Sequence, residues 1–225
     1  MFVAAEAQEY DGFLRHLAQV EKLSWPVRFA RKAEMNGRPV VMLANGPGPV
    51  LAASAAREAS GRLDKLDAFV STGYCGALDG GLHLSSIVVA STVNGNIVQQ
   101  PSTNDAFMAG PVLSRDAVIC TVEEKSRLRK TGAIAVEMEA AGVETLARDL
   151  GVPFYCVRVV TDAASDALAL DFNKVRRRDG GFSRGRIMAA ACRNPLRIVP
   201  ELLKFQRNCK SASIALGDFI ANCRF

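Results

Sequence analysis

Two carboxylates stand two residues apart in Val136-Glu137-Met138-Glu139-Ala140-Ala141-Gly142, and a third closes the run Val157-Arg158-Val159-Val160-Thr161-Asp162. Read as a helix over about 136–150, the first stretch puts Glu139, Val143, Leu146 and Leu150 in one narrow wedge, because residues four, seven and eleven apart return to one face. An acid therefore heads an apolar stripe. Burying an unpaired carboxylate is expensive, so this position needs a partner, a proton or a ligand. Complementing the positive end of a helix, worth roughly 0.3–1 kcal/mol, would explain Glu139 alone and leave Glu137 and Asp162 unaccounted for. A fourth acid, Glu9, follows the short apolar run at residues 1–5, and strand ends in open α/β sheets face the ligand crevice.

The segments that must hold these acids alternate between strand and helix patterns. Residues 1–5 read as a buried strand, followed by a helix-like run through Tyr10, Phe13, Leu14 and Leu17. Residues 27–44 read as two strands around the hairpin signal Asn36-Gly37. Asn45-Gly46-Pro47-Gly48-Pro49 then opens an alanine-rich helix over about 50–63, and its glycines let backbone amides approach an anion or a sugar. Residues 67–81 read as a central strand that runs into a long glycine-rich turn, and 87–91 as another buried strand. The polar residues 94–110 read as a loop or an edge hairpin. Short strands at 117–121 and 133–136, and a strong one at 152–161, complete a mixed, largely parallel sheet between helices in a single α/β domain.

Composition narrows the class. With 49% hydrophobic residues in 225, the chain can bury a substantial core. A net charge of +5 favours anionic partners, but no basic block with interleaved aromatics is present, and nucleic acid is not an expected partner. The six cysteines lack Cys-x-x-Cys spacing and read as reduced packing residues, with no zinc site expected. No apolar run reaches the length of a membrane span and no cleavable leader pattern opens the chain, which points to the cytoplasm.

Four segments, Asn45-Gly46-Pro47-Gly48, Ser71-Thr72-Gly73-Tyr74-Cys75-Gly76-Ala77, Val136-Glu137-Met138-Glu139-Ala140 and Val157-Arg158-Val159-Val160-Thr161-Asp162, together resemble the nucleoside phosphorylase and nucleosidase superfamily. The likeness covers roughly residues 1–175 and is strongest to the 5′-methylthioadenosine/S-adenosylhomocysteine nucleosidases. It implies a three-layer α/β sandwich with a central mixed sheet, assembly as a homodimer or larger homo-oligomer, and cleavage of a purine–ribose bond with no metal and no cofactor. Position by position, it implies that Asp162 protonates or hydrogen-bonds N7 of the departing purine and that Glu139 holds the ribose hydroxyls. Glu137 would help to place the nucleophilic water, and Glu9, nearer solvent, would stay ionised and activate it. Met138 would pack beneath the sugar, with Gly73, Tyr74, Val118, Ile119 and Phe172 also at substrate-binding positions. These types suit an oxocarbenium-like transition state, which carboxylates stabilise, and a base that leaves once protonated. Asp162 must then carry a proton, which an apolar setting and neighbouring carboxylates favour.

The chain also departs from the family pattern. Ser71 and Tyr74 stand where related bacterial phosphorylases place a phosphate-binding arginine and serine, which favours water over phosphate as nucleophile. Val118 replaces a phenylalanine that stacks on adenine, and Phe172 remains as a covering aromatic. The basic segment Arg176, Arg177, Arg178, Arg184 and Arg186 precedes helix-like runs over about 185–192 and 195–219. Residues 185–216 resemble the tail of the hopanoid-associated branch, implying adenosyl-hopane as substrate and peripheral contact with the inner membrane face. The sequence thus predicts a hydrolytic purine nucleosidase acting on a 5′-modified, adenine-containing nucleoside. A phosphate-dependent phosphorylase is the alternative, and a non-enzymatic nucleoside-binding protein the third reading.

Overall fold

The computed structural model describes residues 1–168, 170–177 and 180–225; Arg178 of the basic segment lies outside them. Its strands are β1 (Phe2–Ala4), β2 (Ala18–Lys22), β3 (Phe29–Met35), β4 (Arg38–Ala44), β5 (Phe69–Ala77), β6 (Ile87–Val93), β7 (Asn96–Ile97), β8 (Met108–Ser114), β9 (Ala135–Glu137) and β10 (Phe154–Asp162). Its helices are α1 (Pro49–Ser60), α2 (Val122–Arg129), α3 (Ala140–Asp149), α4 (Phe172–Val175), α5 (Arg184–Arg193) and α6 (Pro195–Ala221). The strands form one sheet in the order β10-β6-β8-β9-β5-β1-β4-β3-β2, with β7 on β6 and a further pairing of β10 with β5. That pairing closes five strands into a ring, from which β1, β4, β3 and β2 extend as a wing.

Side chains alternate across the sheet with the strand period of two. Cys156 and Val160 of β10 join the core beneath α1 and α3, with Ala52, Ala56, Val143 and Leu146. Val157 and Val159 join the core beneath α6, where Leu216, Phe219 and Ile220 meet Tyr10 and Phe13. The result is the α/β three-layer sandwich that the resemblance implied. Helix α6 is core rather than appendage over its last turns: a Cβ at Gly217 would lie 2.2 Å from the Gly12 carbonyl carbon. No helix among the described residues is long and apolar enough to cross a membrane.

Several local expectations need correction. The sheet is mixed but not largely parallel. Pairs β1–β4, β1–β5, β5–β10, β6–β8 and β8–β9 are parallel, against antiparallel β2–β3, β3–β4, β5–β9, β6–β7 and β6–β10. The run at 136–150 is not one helix, because Val136 and Glu137 belong to β9 and the helix begins at Ala140. Leu150, expected in the buried wedge, is 49% exposed, since the chain turns away at Gly151 (φ +65°). Within 67–81 the strand runs from Phe69 as far as Ala77 before the turn begins. Residues 117–121 form no strand; they lead irregularly from β8 into α2. The helix-like run after Glu9 is two short 3-10 turns, Ala7–Tyr10 and Phe13–His16. The Asn36-Gly37 hairpin is present, with φ of +50° and +75° as a tight primed turn requires.

Candidate active site

Strand β5 changes partner along its length. Val70 pairs with β1, whereas Gly76 and Ala77 pair with β9, and β10 follows the other edge. Between the two lies Gly73, at φ +131°, a conformation that side chains rarely adopt. The carboxylate of Glu9 occupies the gap: Oε2 accepts from the amides of Ala5 and Glu6, each at 2.8 Å, and Oε1 from Tyr74 at 2.9 Å. A Cβ on residue 73 would lie 2.6 Å from Glu9 Oε1, so glycine makes the room.

Glu137 and Glu139 sit at the junction of β9 and α3. The Glu137 carboxylate accepts from the amides of Glu139 (2.8 Å) and Ala140 (2.9 Å), satisfying orphan donors at the start of α3. Glu139 Oε1 accepts from the Gly48 amide at 3.0 Å. Both acids are ion-paired to Arg158 of β10, whose side chain is fully buried and also donates to Thr72 O (2.8 Å) and Ser71 Oγ (2.6 Å). At the end of β10, Asp162 Oδ1 accepts from Thr161 Oγ1 (3.0 Å) and Oδ2 from Lys125 Nζ (2.5 Å).

These elements enclose a cavity of about 430 Å³, within the usual range for small-molecule sites. Glu9, Glu137, Met138, Glu139 and Asp162 line it, together with Tyr74, Val118, Ile119 and Phe172. Gly73 does not; it acts through the space it leaves for Glu9. Phe172 stacks at an angle with Phe182 and Phe205, ring centroids 5.5 and 5.9 Å away, so an aromatic cluster covers one side. Next to Phe172, Asn173 clasps both backbone groups of Val118, accepting at 2.9 Å and donating at 2.8 Å. Among the described lining residues there are five acids, counting Glu6, and no Lys, Arg or His.

Burial raises the proton affinity of Glu139, Asp162 and Glu9. It pushes the Glu139 carboxyl up to about 8, against the pull of Arg158 and with the push of Glu137 and Glu9. Asp162 is raised by burial, with Lys125 opposing. Glu9 is not nearer solvent, as the sequence suggested; it is 5% exposed, and burial raises its pKa against three amide donors and Arg158.

The model of the Phosphorylase superfamily matches residues 2–108 and 96–183. The chain belongs to the phosphorylase superfamily. A 5′-methylthioadenosine/S-adenosylhomocysteine nucleosidase of Staphylococcus aureus is 26% identical over 171 residues, covering 61% of this chain and 75% of the relative. The crystal structure of the S-adenosylhomocysteine nucleosidase of Streptococcus pyogenes with 5-methylthiotubericidin has a TM-score of 0.72 at 16% identity, covering 98% of this chain and 93% of that one. That of the Neisseria meningitidis 5′-methylthioadenosine/S-adenosylhomocysteine nucleosidase with methylthio-immucillin-A has a TM-score of 0.69 at 20% identity, covering 98% and 96%. These likenesses give the superfamily member the same fold as those nucleosidases.

The sequence reading missed Lys125, Arg158, Phe182, Ile187 and Phe205. Arg158 had a signal, a lone cation in an apolar strand that called for acids as partners. Helix α2 had one too: Thr121 and Glu124 have cap spacing, and Thr121 Oγ1 accepts from the Glu124 amide at 3.1 Å. Nothing in the sequence marks Lys125 itself as buried. Replacing Arg158 with Met leaves the Glu137–Glu139 cluster buried without its cation and is expected to destabilise the fold by about 3–5 kcal/mol. Urea denaturation checks this, and an unchanged midpoint would show that the acids are balanced by other groups.

Proposed function

We propose that the chain hydrolyses the N-glycosidic bond of a purine nucleoside, adenine-containing and modified at the 5′ position. The observation that carries this reading is the convergence of Glu9, Glu137, Glu139 and Asp162 on one cavity whose described lining has no cationic side chain. An acid-lined cavity without a cation disfavours a phosphate nucleophile, and water carries no such penalty. The Gly48 amide at the glycine-rich turn, a candidate anion donor, is already taken by Glu139. Ser71 points away from the cavity to Arg158, whose guanidinium is committed to Glu137 and Glu139. The relatives named as nucleosidases support the same choice of reaction.

In this mechanism Glu139 accepts hydrogen bonds from the ribose hydroxyls while Met138 packs beneath the ring. Asp162 gives its proton to the base nitrogen N7, and the electrons of the C1′–N bond stay on the base, which leaves neutral. Positive charge developing on the sugar is stabilised by the surrounding carboxylates. Glu137 orients the water and Glu9 takes its proton as the hydroxyl joins C1′. Burial raises the proton affinity of Glu9, which strengthens it as a base. Phe172, with Val118 and Ile119, sandwiches the base.

The finer reading concerns the 5′ group. Phe182, Ile187 and Phe205 add an apolar wall contributed by the segment entering α5, by α5 and by α6. On the same two helices Met188, Leu196 and Leu203 are 65%, 92% and 53% exposed, beside exposed Arg193, Arg197, Lys204 and Arg207. An apolar 5′ substituent, of which a hopane is one example, fits that wall, and the helices would rest on an anionic membrane surface.

Asp162→Asn is expected to lower turnover by at least about a hundredfold, while wild-type protein releases free base from 5′-substituted adenosines equally with and without phosphate. Mass spectrometry of the released base checks both; strict dependence on phosphate would make the protein a phosphorylase. In sedimentation with vesicles, the protein should pellet with anionic and not with neutral liposomes. Recovery in the supernatant with both would remove the membrane contact and leave the chemistry standing.

A further inference from the structure

The acid assigned to the leaving base is bonded to a buried lysine. Lys125 is 1% exposed and is the buried residue of α2, a helix otherwise turned to the surface. Its Nζ donates to Asp162 Oδ2 at 2.5 Å and to Ala163 O at 2.7 Å, yet it does not line the cavity. Burying an ammonium and a carboxylate is costly even when they are paired, and an apolar pair of similar volume would serve packing as well or better. Helix α2 therefore carries its charge inward for a reason other than stability.

We propose that Lys125 is a positioning residue that fixes the Asp162 carboxyl against the purine and strengthens it as an acid. This rests on the glycosidase reading above. As the Asp162 proton moves to the base nitrogen, the carboxylate left behind is already bonded to an ammonium. The carboxyl thus feels two opposing influences. Burial holds the proton on, as a leaving group that must be protonated requires, and Lys125 eases its departure. The two bonds from Nζ also fix the carboxyl plane, with Thr161 Oγ1 on the remaining oxygen at 3.0 Å. Other titratable groups around Asp162 are Asp166 on the following loop, Cys75 of β5, Cys209 of α6 and Cys120 before α2, and Glu201 and Lys204 of α6 line a small pocket with it. Lys125 is the cation bonded to the carboxyl itself.

The test separates charge from hydrogen bonding. Lys125→Gln keeps a donor and loses the charge; Lys125→Arg keeps the charge. Activity needs Asp162 protonated, so the alkaline limb of the kcat profile follows its pKa, and loss of the cation moves that limb up. The expectation for Lys125→Gln is an upward shift of about one pH unit or more and a kcat about tenfold lower at neutral pH, with KM little changed. Lys125→Arg should keep the wild-type limb. A wild-type limb in both variants, with loss of thermal stability alone, would overturn the proposal. Carbon-13 NMR titration of the aspartate carboxyls, with the Asp162 signal assigned through Asp162→Asn, reads the same pair without turnover. If the wild-type protein cleaves no nucleoside, the glycosidase reading fails. An Asp162 signal that titrates higher in Lys125→Gln would still support the coupling, and an unmoved one would refute it.

Discussion

A single guanidinium holds the site together. Arg158 is fully buried, reaches Glu137 and Glu139 as ion pairs, and bonds Ser71 and Thr72 on the neighbouring strand. Carboxylates gathered in a low-dielectric cavity repel one another and tend to neutralise. With a fixed cation behind them, they can converge on the same space from β9, the start of α3 and the segment after β1. The arginine does this from outside the cavity, so the face offered to a ligand is acidic while the charge that sustains it stays in the core.

Backbone geometry supplies the rest. Because β5 leaves β1 for β9, amides at the divergence lose their ladder partners, and buried amides need partners. Glu9 provides one to Tyr74 and two to the end of β1, and Glu137 does the same for the first amides of α3. Glu9 and Glu137 are thus structural and chemical at once: each satisfies backbone donors left open by a change of partner or the start of a helix. That dual use keeps their oxygens fixed, the condition for a preorganised site.

Much of this was legible in the sequence where local chemistry is decisive. Asn36-Gly37 can hardly be other than a hairpin turn, and the run 154–160, apolar but for Arg158, has the character of a strand buried on both faces. The acids at 137, 139 and 162 were legible because their neighbours are largely apolar and their spacing matches a family, and Glu9 through the family match and its place after an apolar run. What could not be read depends on tertiary contact. The period-3.6 pattern from Val136 to Leu150 was genuine for Val143 and Leu146, but strand pairing of β9 with β5 and β8 overrode it at its start. Strand β2 has no buried residue and so no hydrophobic signature. Glu9 looked solvated because Glu6, Gln8 and Glu9 are polar in series; its burial comes from β5, far away in the chain. Lys125 sits in a run of charges, and only the approach of α2 to the end of β10 turns it inward.

The central claim is that an acid-lined cavity, backed by a cation it does not expose, delivers water to a nucleoside. Turnover of a 5′-substituted adenosine in oxygen-18 water, with phosphate present, tests this directly. The account predicts one labelled oxygen at the anomeric carbon of the released sugar. A sugar 1-phosphate without label would contradict it.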